Sequence, residues 1–176
     1  MMLMKIEIPS GVKVEVKGGE VHTSGSLGSN ARRFNDVLLG VKVDGDAVEV
    51  SAIGKGALAK KAGKAVNAFA KEVRNDMEGV TKHFERRMSI VFAHFPMVVE
   101  AKGPEVQIKN MFGERAVRRA NIVGSTKVEV KGQSVRVYGT NLDDVSQTAA
   151  NIRNATKIRR RDIRVFQDGI YYAIEE

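Results

Sequence analysis

The chain has 176 residues, with 29 Lys and Arg against 21 Asp and Glu, for a formal net charge of +8. It has no Cys, which excludes disulfides, thiolate metal sites and Cys nucleophiles, and its three His (His22, His83 and His94) are scattered, which argues against a His-rich metal site. Hydrophobic residues at 43% are enough for a packed core, and a sequence pI near 9.8 makes a polyanion the first partner to consider.

Along the chain, the start Met1–Lys5 is too short for a signal peptide, and no apolar run reaches the ~20 residues of a membrane span. The expectation is a soluble cytoplasmic protein with no membrane contact. Residues 11–25 alternate apolar and polar around Gly18-Gly19, and residues 41–53 do so around Asp44-Gly45. Short turns of this kind demand antiparallel hairpins. A helix follows, with Leu58, Ala62, Ala65, Val66, Phe69, Val73 and Met77 on one face. Residues 88–95 read as a strand, and residues 128–139 as a hairpin around Lys131-Gly132. A second helix begins at Asn141, a good N-cap, with Asp143 and Asp144 in a first turn that favours acids. Its apolar face is Leu142, Val145, Ala149, Ile152, Ala155 and Ile158. The closing stretch 163–174 reads as a strand that completes the second sheet.

The chain repeats itself. Residues 17–34 align without a gap to 102–119, with Lys17/Lys102, Gly18/Gly103, Glu20/Glu105, Val21/Val106, Gly28/Gly113, Ala31/Ala116 and Arg33/Arg118 identical. After a two-residue shift, residues 41–50 align with 128–137, and Ala62, Asn67 and Ala68 fall on Ala149, Asn154 and Ala155. The same order of strands and helix in both copies points to a duplication. The expected fold is therefore α+β: two duplicated domains, 1–79 and 80–176, each an antiparallel β-sheet packed against one α-helix.

The charge is not shared evenly. Residues 1–80 carry 12 Lys and Arg against 10 acids, and residues 81–176 carry 17 against 11. The second half also holds eleven of the Arg, whose planar donor fork fits phosphate oxygens. Two runs concentrate them: residues 110–124, with Arg115, Arg118 and Arg119, and residues 156–172, with Lys157, Arg159, Arg160, Arg161 and Arg164. Such segments neutralise phosphates, and RNA is read largely through shape and backbone. Phe166, Tyr171 and Tyr172 nearby are equally suited to stacking on bases or to a core.

An enzymatic reading finds little support. Gly54, Gly56 and Ala59 match G-x-G-x-x-A between a strand and a helix, the local context of a dinucleotide site. The preceding strand belongs to an antiparallel hairpin, no acidic residue ends a second parallel strand, and the other copy has YGTNLDD there. No carboxylate pair, Ser-His-Asp set or metal cluster stands out, so no catalytic residue, metal, cofactor or small-molecule substrate is expected. A basic protein-interaction module is the remaining rival to RNA binding.

Four stretches, 8–21, 78–97, 110–124 and 147–172, resemble the archaeal form of the ribosomal protein L-six family of the large subunit. The last is the most specific, through QTAANI and RRRDIRVFQDGIY. The resemblance implies two duplicated α+β domains and a non-catalytic protein that binds 23S rRNA near the base of the lateral stalk and the sarcin–ricin loop, where translation factors dock. It implies neighbouring large-subunit proteins as partners and the second domain as the main RNA-binding part. Carried over by motif, the RNA-contacting residues are Asn110, Gly113, Arg115, Arg118, Arg119, Lys157, Arg159, Arg160, Arg161 and Asp168, the last acting through turn structure and not through charge. At Ser26-Leu27-Gly28-Ser29 the chain departs from the family's Gly-Pro-Lys-Gly-like turn, lacking the Pro and the Lys.

Overall fold

The computed structural model describes residues 3–53, 57–93, 95–159 and 161–173, without the side chains of residues 57–61. Gly54, Lys55 and Gly56, the side chains of Leu58 and Ala59, and His94 and Arg160 lie outside the described residues.

The chain divides into two compact units, Met1–His83 and Phe84–Glu176. This division falls just past the first helix, which runs through Gly79 and Val80 to Thr81. Val80 is fully buried in the first unit, so the helix could not end sooner without opening that core. With Lys82 in the first unit, that unit holds 13 Lys and Arg against 10 acids, and the second 16 against 11.

The first unit contains β1 (Leu3–Glu7), β2 (Lys13–Lys17), β3 (Glu20–Gly25), β4 (Gly28–Arg33), β5 (Leu39–Asp44), β6 (Ala47–Ala52) and α1 (Ala57–Thr81). The strands form two antiparallel sheets, ordered β1-β6-β5 and β2-β3-β4, rather than one. Helix α1 packs across both, and its buried stripe Ala62, Val66, Phe69, Val73, Met77 and Val80 meets Ile6, Val21, Val48 and Val50. Arg32 on β4 grips Asp76 of α1 through Nε–Oδ2 at 2.6 Å and Nη2–Oδ1 at 3.0 Å. The Ser26-Leu27 turn lies on the end of α1, with the Leu27 N–H donating to the Val80 carbonyl at 3.1 Å. A Cβ on Gly25 would sit 2.8 Å from Val80, so that turn needs a glycine for close approach.

The second unit repeats the plan with β7 (Phe84–Val91), β8 (Val98–Lys102), β9 (Glu105–Lys109), β10 (Arg118–Asn121), β11 (Lys127–Lys131), β12 (Ser134–Gly139) and α2 (Leu142–Ala155), and adds β13 (Gly169–Tyr172). Its sheets are β10-β9-β8 and β11-β12-β7-β13. Met88 pairs with Val135 as Ile6 pairs with Val48, and all four are buried. The aligned glycines adopt matching left-handed turns: Gly18 and Gly103 at φ 57° and 58°, Gly45 and Gly132 at 56° and 58°. L-residues resist that conformation, which is why these positions stand out in the sequence. Asn141 caps α2, its Oδ1 accepting from the Asp143 N–H at 2.9 Å.

The copies part at two places. Between β3 and β4 lies the two-residue turn Ser26-Leu27, whereas β9 and β10 are joined by residues 110–117. Val21 pairs with Arg32 but Val106 pairs with Ala120, so the gapless alignment of Gly28/Gly113 and Arg33/Arg118 fails in three dimensions. Gly28 opens a strand, while Gly113 ends a single 3-10 turn at Met111–Gly113. Second, α2 stops at Ala155, and residues 156–168 lead to β13. The expected strand over 163–174 shrinks to β13. Asp162 takes over instead, its Oδ1 accepting from the Arg164 N–H at 2.9 Å and its carbonyl accepting from Val165 and Phe166. That Asx turn outcompetes the apolar alternation. Both departures from the duplicated plan fall within the Arg-rich runs 110–124 and 156–172.

Candidate nucleic-acid interface

The segments 110–117 and 156–168 are far apart in sequence and touch in the second unit. Phe112 and Phe166 meet edge to face with ring centroids 5.7 Å apart. The Arg161 guanidinium covers both rings, 4.9 Å from the Phe112 centroid and 5.0 Å from Phe166. Arg118 Nη1 donates to the Ala155 carbonyl at 3.0 Å, while its Nε and Nη2 hold Glu114 at 2.9 and 2.7 Å. The hydrogen bond from Arg118, with the Arg161 charge adding to it, holds the Glu114 carboxyl below the ordinary carboxylate range.

This packing holds an unusual backbone. Asn110 and Phe112 take left-handed φ values of 59° and 54°. Asn tolerates this conformation, but for Phe it costs on the order of 1–3 kcal/mol and persists only under tertiary restraint. The restraint is visible: Phe112 is buried under Phe166, and Asn110 Nδ2 donates to the Pro96 carbonyl at 2.9 Å. Gly113, φ 74°, faces the Phe95 ring.

All but one of the residues carried over by motif fall among the described residues. Arg115, Lys157 and Arg159 are exposed, with no ion-pair or hydrogen-bond partner for their side chains among the described residues. Arg119 is 64% exposed and reaches Glu105 only at 3.9 Å. Arg118 spends three N–H groups inside the domain, so it positions the loop. Arg161 braces the aromatic pair and stays exposed. Arg160 lies outside the described residues. Asp168 is 1% exposed, and its Oδ1 accepts from the Ala93 N–H at 2.8 Å, tying the second segment to the end of β7. Asn110 and Gly113 serve loop geometry in the same way.

Sequence reasoning missed the groove beside β10. Arg119, Asn121, Asn151 and Asn154 line a cavity of about 360 Å³ between β10 and α2. Gln147, Asn151 and Asn154 recur at helical spacing on the polar face of α2, a signal open to a reader of the sequence. Some cations elsewhere on the unit are paired with carboxylates. Arg136 and Arg87 each hydrogen-bond Glu85 at 2.7 Å, and Arg136 first among them lowers that carboxyl's pKa. Lys109 and Lys102 share Glu100 at 3.0 and 3.1 Å. Arg115, Lys157 and Arg159, which lack acidic partners among the described residues, lie in the two segments that touch, an arrangement that suits a polyanion.

Among the described residues no group of acidic and His side chains is fit to hold a metal ion, and no helix is long and apolar enough to cross a membrane. The family model described as Ribosomal protein L6 matches residues 95–169, a span that takes in both basic segments. The chain is 46% identical over 168 residues to large ribosomal subunit protein uL6 of Methanocella arvoryzae, covering 95% of this chain and 93% of that protein. The chain belongs to the ribosomal protein L6 family. It is likewise 44% identical to uL6 of Methanobrevibacter smithii over 98% of this chain and 95% of that protein. For uL6 of Haloarcula marismortui the identity is 38%, over 97% and 94%. An archaeal-type L6 protein is a structural component and not an enzyme, so a nucleotide-dependent activity at the Gly54–Ala59 string is set aside.

Proposed function

We propose that this chain is a structural constituent of the large ribosomal subunit that binds 23S rRNA near the base of the lateral stalk and the sarcin–ricin loop, supporting the region where translation factors dock. The observation that carries the RNA contact is the convergence of segments 110–117 and 156–168. Phe112, Phe166 and Arg161 make the contact between the segments, and Arg115, Arg119, Lys157 and Arg159 lie in or next to them. Phosphate contacts from these cations supply affinity, and the fixed loop geometry supplies fit to a folded RNA surface. The second unit is the main RNA-binding domain. The first unit, with three Arg, one of which is held inward in the buried Arg32–Asp76 pair, faces neighbouring ribosomal proteins. The protein works in the cytoplasm, without cofactor, membrane or small-molecule substrate.

Chemical probing tests this directly. The chain is added to 23S rRNA, and to large subunits lacking it. Protections at the sarcin–ricin loop and the stalk base are expected. Protections confined to other regions, or none, contradict the placement.

A further inference from the structure

Beside the last turn of α2 the second unit has a slot of about 380 Å³. Its walls are Ile158, Ile163, Ile170 and Tyr171, and Arg153 and Lys157 stand at its rim. Ile158 continues the apolar stripe of α2 in sequence but falls beyond the helix end, where it lines this space. Ile163 is 68% exposed, and the adjacent Val165 is 59% exposed. The Asx turn at Asp162 takes them out of the strand pattern, which would have put both on one face of the sheet. An apolar recess inside the most basic part of a surface is an unusual pairing, because exposed branched side chains there gain nothing from water.

We infer that this slot takes a single unstacked RNA base, with its phosphate on Lys157 and Arg153. The inference rests on the rRNA-binding role proposed above and deepens it. Three features support it. Small-ligand sites span roughly 300–1,000 Å³, so this slot suits one base with its sugar and is too small for a helix. Its walls offer a Tyr ring and aliphatic faces, the surfaces on which splayed bases stack. Its rim is cationic, with no acidic partner for Lys157 among the described residues, which favours a nucleotide over an apolar peptide side chain. Asn154 also lines the slot and brings amide donors and an acceptor to a base edge. Thr156 closes the floor, its hydroxyl accepting from the Ile170 N–H at 3.1 Å.

The test uses the full chain and two RNA hairpins, alike except for one bulged 2-aminopurine. Binding is measured at several salt concentrations. The bulged hairpin should bind about tenfold more tightly than the paired one, the scale of one stacked base. The double substitution Ile163→Ala with Tyr171→Ala should reduce that preference to within about twofold and leave the salt slope unchanged, since no phosphate contact is removed. Both residues are exposed, so the fold should survive, and circular dichroism checks it. Equal binding of the two hairpins by the unaltered chain overturns the inference, as does a preference that survives the double substitution. Free adenosine monophosphate that saturates the chain without any bulge preference also overturns it. If neither hairpin binds at all, the rRNA-binding role itself fails, a distinct outcome.

Discussion

Arg118 on β10 donates to the carbonyl of Ala155, the last residue of α2, at 3.0 Å. Through this one contact the loop that replaces a hairpin turn is fastened to the point where the helix gives way to the second basic run. The same guanidinium holds Glu114, so one side chain fixes both the loop and its register. The proposed RNA surface is therefore assembled by contacts distant in sequence, at the two places where the second unit departs from the plan of the first.

Replacing Arg118 with Ala should loosen residues 110–117 without unfolding the domain. Hydrogen bonds to charged groups contribute about 1.5–3 kcal/mol each when well made, but Arg118 and Glu114 are 26% and 34% exposed, which lowers their worth. The expected cost is about 1 kcal/mol. Amide exchange in the loop should quicken while the α2 core stays protected. Unchanged loop protection would show that Phe112 and Phe166 suffice alone.

Glu114 links the loop to pH. Its folded pKa is depressed, first by the hydrogen bond from Arg118. A depressed carboxylate contributes stability above its unfolded pKa of about 4.3 and loses it as pH falls through the folded value. The loop should therefore stay ordered at neutral pH and loosen only below the ordinary carboxylate range. Carbon-detected titration of Glu114 should show a midpoint below that range, returning to it in Arg118→Ala. An ordinary midpoint in the unaltered protein would refute the linkage.

In the first unit, Arg32 and Asp76 form a pair whose side chains are 16% and 4% exposed. Breaking a buried pair strands a charge, at about 3–5 kcal/mol. Arg32→Ala should lower first-unit stability by about 3 kcal/mol, seen as faster exchange in α1 at a given urea concentration. RNA affinity should change little. A large loss of RNA binding with α1 intact would move an RNA contact into the first unit.

The parts of the fold legible in the sequence were those set by local chemistry. Gly18, Gly45 and Gly132 mark hairpins because few other residues accept their turns, and Asn141 marks a helix start because its side chain caps N–H groups. Equal residues at Gly28 and Gly113 misled, because identity there does not reflect equal position. Ile163 and Val165 alternate as a strand does, and only the competing Asp162 hydrogen bonds remove them from the sheet. Composition located the basic runs, but their contact through Phe112, Phe166 and Arg118 depends on the tertiary fold and leaves no local trace. For the same reason Arg115 and Arg118 look alike in sequence, while one is exposed and the other is engaged inside the domain.

The most direct measurement is the salt dependence of 23S rRNA binding for one triple and one double replacement. Arg115, Lys157 and Arg159 are changed to Ala in one protein, and Arg87 and Arg136, already paired with Glu85, in the other. Each lost phosphate contact should flatten the log–log slope by about 0.7–0.9. The first protein should lose about two units of slope, and the second should match the unaltered chain. Equal slopes for all three, or a greater loss in the second, would contradict the assignment of the RNA surface to the two converging segments.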